Sequence, residues 1–122
     1  MANPAYASAM GKALLAHLPP AELDAYLARV ELKPFTEHTI TQRDALLEVL
    51  EQVRQLGYAL VDQELEIGLR SLAVPIRNMA GQVVAAMNVS GQAARVSRQE
   101  MEGQFLPVLQ AVAQELRVLL VT

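Results

Sequence analysis

Two runs of alternating residues, joined by a short turn, constrain this chain more than any other feature. Leu69 to Arg77 and Gln82 to Ser90 each read as a strand, with Asn78-Met79-Ala80-Gly81 between them. Asn and Gly both tolerate positive φ, so the connection predicts an antiparallel hairpin. Pairing Arg77 with Gln82 sets an expected register: Val74 opposite Ala85, Leu72 opposite Met87, Ser71 opposite Asn88, and Leu69 opposite Ser90. Alternation then puts Leu72, Val74, Ile76, Val83, Ala85, Met87 and Val89 on one face, which reads as core. The other face carries Leu69, Ser71, Ala73, Ala86, Asn88 and Ser90, and is small and half polar. Small residues leave volume and the polar ones offer hydrogen bonds, which suits a pocket. A simply solvated face is the ordinary alternative. Solvated faces usually carry Lys, Glu or Arg, however, and the centre of this one carries none.

Helices surround the hairpin in sequence. Ala7, Met10, Leu14 and Leu18 recur at helical spacing and predict a helix over 5–18, stopped by Pro19-Pro20. Pro20 suits the first position of a second helix bearing Leu23, Leu27 and Val30. Residues 31–40 read as extended or irregular. Thr41-Gln42-Arg43-Asp44 resembles a capping box and opens a helix with Leu46, Leu50, Val53 and Leu56 inward, closed by Gly57. A further strand is expected over 58–62. Ser97-Arg98-Gln99-Glu100 is a full capping box, opening a last helix to about Leu119 that Pro107 should kink. The order of elements predicts one α+β domain with antiparallel pairing.

Composition narrows the function classes. The 122 residues suffice for one core, and 52% of them are hydrophobic. Thirteen acidic against ten basic residues give a net charge of -3, and only five side chains are aromatic. The chain alone is therefore expected to bind nucleic acid poorly. It has no cysteine, and His17 and His38 stand too far apart for a helical metal pair, so neither metal nor cofactor is expected. No run approaches a membrane span and no signal peptide is visible, which leaves a cytoplasmic protein as the expectation.

Candidates for chemistry are few. Ser71, His38 and Asp62 lack the nucleophile-elbow sequence that would make them a triad. Arg70 falls on the core face and is expected to pair with Asp62, Glu64 or Glu66, because an unpaired buried guanidinium is costly. Gly11 and Lys12 follow the small run Ala7-Ser8-Ala9-Met10. Backbone amides there either bind a carboxylate or serve only close helix packing.

Taken in order, several segments resemble the effector domain of IclR-type bacterial transcription regulators. Ala7-Ser8-Ala9-Met10-Gly11-Lys12-Ala13-Leu14-Leu15-Ala16 is similar to the helix that opens the second half of that domain. Gly57-Tyr58-Ala59, Asp62-Gln63-Glu64-Leu65-Glu66 and Gly68-Leu69-Arg70-Ser71 resemble its most recognisable stretch, and 84–91 its last strand. The wording Asn3-Pro4-Ala5-Tyr6, Asp62 to Glu66 and Asn88-Val89-Ser90 leans toward regulators of protocatechuate, 4-hydroxybenzoate and β-ketoadipate metabolism.

The resemblance implies a GAF-like fold, a curved antiparallel sheet with helices packed on one face and a pocket on the other. It implies that residues 1–122 are the effector-binding domain without the N-terminal winged helix-turn-helix and without the domain's first strands. It implies a small organic acid as effector, a homodimer or homotetramer, DNA contact only through the N-terminal domain, no membrane partner and no catalysis. The family's pocket positions match Ala9 and Met10, whose amides would meet the acid group, and Val61, Leu69, Ser71, Asn88 and Ser90 on the strands. Some relatives carry an acid in place of Val61, a Cys in place of Ser71 and a Ser in place of Asn88, so ligand identity does not carry over. A dimerisation module without ligand and a small enzyme acting on organic acids stand as the alternatives.

Overall fold

A computed structural model describes residues 4–120, so Asn3 of the quoted segment lies outside it. A 3-10 turn, Ala5–Ala7, leads into α1 (Ala9–Leu15), followed by α2 (Pro20–Arg29) and α3 (Arg43–Leu56). Strands β1 (Ala59–Asp62), β2 (Leu69–Arg77) and β3 (Val83–Gln92) form one antiparallel sheet in the order β1-β2-β3. The short helix α4 (Arg98–Glu100), a π segment (Met101–Phe105) and α5 (Leu106–Arg117) complete the chain.

The α+β class matches the pattern in the sequence, but the helices, expected on one face, divide between the two sheet faces, and a cavity lies on the α1 side. Ala59, Val61 and Ala73 pack with Ala9, Ala13, Leu46, Leu50 and Val53 of α1 and α3. On the reverse face Leu72 and Val74 pack with Met101, Leu106, Leu109 and Ala113. Both faces are needed because β2 is apolar on each: Leu72, Ala73 and Val74 are all essentially inaccessible.

The hairpin register differs from the expectation by two residues. Ser71 lies opposite Ser90, and Asn88 lies opposite Ala73. One residue of the shift comes from the turn. Asn78 N–H donates to the Gln82 carbonyl at 2.9 Å and Gly81 N–H to the Asn78 carbonyl at 3.0 Å, so the loop is Met79-Ala80-Gly81. Gly81 closes it at φ 85°, a left-handed position that glycine adopts without strain. Asn78 is buried, and its Oδ1 takes the Gln82 N–H at 3.0 Å. The other residue comes from an irregularity beside Ile76 and Arg77. Ile76 opposes Ala85 while Arg77 opposes Val83, leaving Val84 as the extra residue of a bulge. From Ala85 onward the even shift preserves the faces, whereas Val83, on the turn side of the bulge and opposite Arg77, falls on the other face from the one expected. Ser71, Ala73, Ala86, Asn88 and Ser90 thus share one side, although Ser71 and Asn88 are diagonal rather than opposite.

Three local differences have simple causes. The helix expected over 5–18 is broken at Ser8, which is extended (φ -110°, ψ 152°) and caps α1 by accepting the Gly11 N–H at 3.0 Å. The Thr41 capping box does not form, since α3 starts at Arg43 with Gln42 at its cap and no side-chain bond. The Ser97 box does form, with Glu100 N–H on Ser97 Oγ at 3.0 Å and the reciprocal bond at 3.1 Å. Just before Pro107, where a kink was expected, the last helix passes through the π segment. Proline has no N–H and its ring crowds the carbonyl four residues back, and a wider turn relieves both.

Arg70 makes the pairing anticipated for it. Its Nε and Nη2 donate to the two oxygens of Asp62 at 3.1 and 3.2 Å, and Nη1 reaches the carbonyls of Ala93 and Val96. Burial alone would raise the Asp62 carboxyl. Hydrogen bonds from Arg70 and Gln63, with the charges of Arg70 and Arg98, outweigh burial and hold it below the usual carboxylate range. A depressed folded-state value means stability present above the unfolded pKa and lost as pH falls through the folded one. Asp62→Asn should therefore lower stability at neutral pH and flatten the loss of stability on acidification. Urea unfolding at pH 7 and pH 3 measures both; an unchanged pH slope would show that the pair does not titrate with folding.

Candidate functional site

A cavity of about 300 Å³ lies between the start of α1 and the sheet. Ala5, Ala7, Ser8, Ala9, Met10 and Gly11 form one wall, Val61 and Leu65 a second, and Leu69, Ser71, Asn88 and Ser90 the third. Ala9, Met10, Val61, Leu69, Ser71, Asn88 and Ser90, the positions singled out in the sequence, are thus brought together on one volume. Ala5, Ala7, Ser8, Gly11 and Leu65 were not singled out as pocket residues. For Gly11 and Ser8 the signal was present in the small-residue run, and the break at Ser8 is what turns that run into a wall.

The close approach of the 3-10 turn to α1 depends on Gly11. A Cβ there would fall 2.2 Å from the carbonyl oxygen of Ala5 and 2.3 Å from its Cα. Close helix packing is therefore real at this position. Ser8 Oγ takes the Gly11 N–H and Ser8 O takes the Lys12 N–H, which leaves the Ala9 and Met10 amides with no acceptor among the described residues.

The strand wall is neutral and hydrogen-bonding. Ser71 Oγ and Ser90 Oγ are 2.7 Å apart, and Asn88 Nδ2 donates to Ser90 Oγ at 3.3 Å. Ser71 is buried, while Asn88 and Ser90 keep exposure toward the opening. Each hydroxyl retains donor or acceptor capacity beyond the bond it makes.

Lys12, the nearest cation in sequence, does not line the cavity. Its side chain is 1% exposed and its Nζ pairs with Glu64 Oε1. Desolvation by burial lowers the Lys12 pKa, against the charge and hydrogen bond of Glu64, which raise it. Glu64 belongs to the β1–β2 connection, which Thr39 and Thr36 also fasten through Oγ1 bonds to the Glu64 and Gln63 carbonyls. Nothing in the sequence placed Lys12 with Glu64, since the pair spans 52 residues.

Residues 1–118 match the family model of the bacterial transcriptional regulator IclR C-terminal domain. The chain belongs to the IclR family. The match to the Pca regulon regulatory protein of Pseudomonas putida is 48% identical over 113 residues, 93% of this chain and 39% of that protein. The p-hydroxybenzoate hydroxylase transcriptional activator of Acinetobacter baylyi is 40% identical over 93% of this chain and 42% of its own length. This IclR-family chain thus spans about two-fifths of the curated relatives it matches. Among solved structures, the inducer-binding domain of a PobR double mutant from Acinetobacter, in complex with 3-hydroxybenzoic acid, superposes with a TM-score of 0.93. It is 39% identical, over 96% of this chain and 69% of that one. The Thermotoga maritima IclR superposes at 0.85, with 40% identity over 93% of this chain and 45% of its own. These relatives are transcriptional regulators, and the IclR family is not enzymatic. Among the described residues no helix is long and apolar enough to cross a membrane.

Proposed function

We propose that this domain senses a small organic acid, aromatic or dicarboxylic, held between α1 and the sheet. The observation that carries the reading is the convergence of Ser71, Asn88 and Ser90 with Ala9 and Met10, whose amides have no acceptor among the described residues, on one cavity of about 300 Å³. That volume sits at the lower end of the range for small-molecule sites. The hydroxybenzoate complex of the Acinetobacter relative supports an aromatic acid as the ligand class.

The acid group would lie against the Ala9 and Met10 N–H groups, since no cation among the described residues lines the cavity. Ser71, Ser90 and Asn88 would hold a hydroxyl or keto oxygen at the far end, and Val61, Leu65 and Leu69 would pack on the carbon skeleton. Such a ligand touches α1 and all three strands at once. It favours whichever arrangement brings them closest, and in the whole protein that preference would bias a homodimer or homotetramer and the DNA-binding part attached to it.

Calorimetric titration with 3-hydroxybenzoate, 4-hydroxybenzoate, protocatechuate and β-ketoadipate tests the reading. At least one should bind, and Asn88→Ala should weaken it about tenfold through the lost hydrogen bond. Binding by no acid would favour a dimerisation module with an unused cavity. Unchanged affinity in both Asn88→Ala and Ser71→Ala would move the site elsewhere.

A further inference from the structure

A second cleft, of about 670 Å³, opens at the hairpin end of the sheet, among His17, Pro19 and Pro20, Arg54 of α3, and Arg77 and Gln82 of the hairpin. It shares no lining residue with the acid cavity. Among the described residues its charge is one-signed: His17, Arg54 and Arg77 line it and no carboxylate does. Neither arginine forms an ion pair with a carboxylate among the described residues, although acidic residues outnumber basic ones in the chain. Asp24 and Glu51 line the neighbouring groove on the far side of Arg54 and pair with it no more closely.

Two further details make this more than a surface charge run. The Nε2 atom of His17 is buried and has no hydrogen-bond partner, the one such side-chain atom among the described residues. A buried polar atom without a partner is costly unless something fills the position. Arg77 is held along the turn by its bond to the Gly81 carbonyl at 2.8 Å, and Arg117 is fixed nearby through the Asn78 carbonyl at 3.0 Å. Both bonds use one donor of the fork and leave the rest free. Burial and the positive charges of Arg77 and Arg54 lower the His17 pKa.

We infer that this cleft is a second ligand site, for a phosphate group, free or as a small phosphomonoester. Planar guanidinium forks match the tetrahedral oxyanion, and several acceptor oxygens can reach more than one cation. The volume leaves room beyond the phosphate for a small organic part. Arg54 and Arg77 would close on its oxygens beside the His17 ring, whose buried Nε2 a ligand reaches only if a neighbouring side chain moves.

NMR titration of the isotopically labelled chain with inorganic phosphate, and separately with glycerol 3-phosphate, tests the site. Saturable shifts at the His17 ring and the Arg54 and Arg77 Nε signals are expected, tighter for the monoester if the organic part is used and equal for both if phosphate alone is recognised. Arg54→Gln with Arg77→Gln should weaken binding at least about tenfold, and the exposed Arg95→Gln should not. Adding 3-hydroxybenzoate should leave these shifts in place, which keeps this test independent of the acid cavity. Non-saturating shifts spread over all arginines would overturn the inference, as would acetate matching phosphate. So would shifts that follow protein concentration alone, which would show a carboxylate of a second copy filling the cleft.

Discussion

Gly11→Ala is expected to destabilise this domain by about 3 kcal/mol or more, the upper range for forcing atoms into a packed site. The atoms that a methyl group would meet are the backbone oxygen and Cα of Ala5, at 2.2 and 2.3 Å, and not the end of a flexible side chain. Relief requires the 3-10 turn to move off α1. That movement shifts the whole Ala5–Gly11 wall of the cavity, so acid binding should fall with stability. Gly57→Ala makes the useful comparison. Gly57 sits at φ 82° with open space around it, so its cost is conformational and should be only about 1 kcal/mol. Urea unfolding of the two variants checks the contrast; equal losses would mean that the contact at Gly11 yields without effort.

Lys12→Ala should cost about 3–5 kcal/mol, the penalty for leaving one partner of a buried pair behind. Lys12 is almost wholly enclosed and Glu64 nearly so, at 1% and 12% side-chain exposure. Removing the ammonium leaves the Glu64 carboxylate with its charge uncompensated in a poorly solvated place. Removing both charges together should cost far less: Lys12→Met with Glu64→Gln is expected to recover most of the loss, since desolvation of the pair offsets much of its attraction. A double-mutant cycle by chemical denaturation measures this. Additive losses would show that the two side chains stabilise the fold separately. Because the pair ties α1 to the β1–β2 connection, its disruption should also loosen two walls of the cavity.

How far the sequence revealed this molecule depended on the range of the interaction. The limits of β2 followed from its own alternation, and the left-handed closure of α3 followed from Gly57. The faces of the hairpin from Ala85 onward were legible because face depends only on parity, which the two one-residue errors in the register, added together, left intact. The register itself was not, because the length of the turn was decided by the buried Asn78 side chain and the bulge at Val84 by packing of the whole strand. The break at Ser8 was hidden for a similar reason. Helical spacing continues through it, and the Ser8 cap and the Ala5–Gly11 approach that mark the break join segments the pattern reads as one helix. The strand residues that line the cavity were readable from alternation together with family resemblance. Lys12 with Glu64, and His17 with Arg54 and Arg77, are pairings between distant segments that no local pattern encodes.

The neutrality of the cavity wall has a consequence for rates. An anionic acid approaching a chain of net charge -3 finds no cation among the described residues that line the cavity, and the nearby Lys12 and Arg70 are each held by a carboxylate, so little draws it in from a distance. Capture must then proceed by unguided diffusion, and how long the ligand stays is set by the hydrogen bonds and apolar contacts it finds inside. Such bonds are short-ranged and little screened. Occupancy of the cavity would therefore follow the concentration of the acid while remaining almost indifferent to changes in the salt around it.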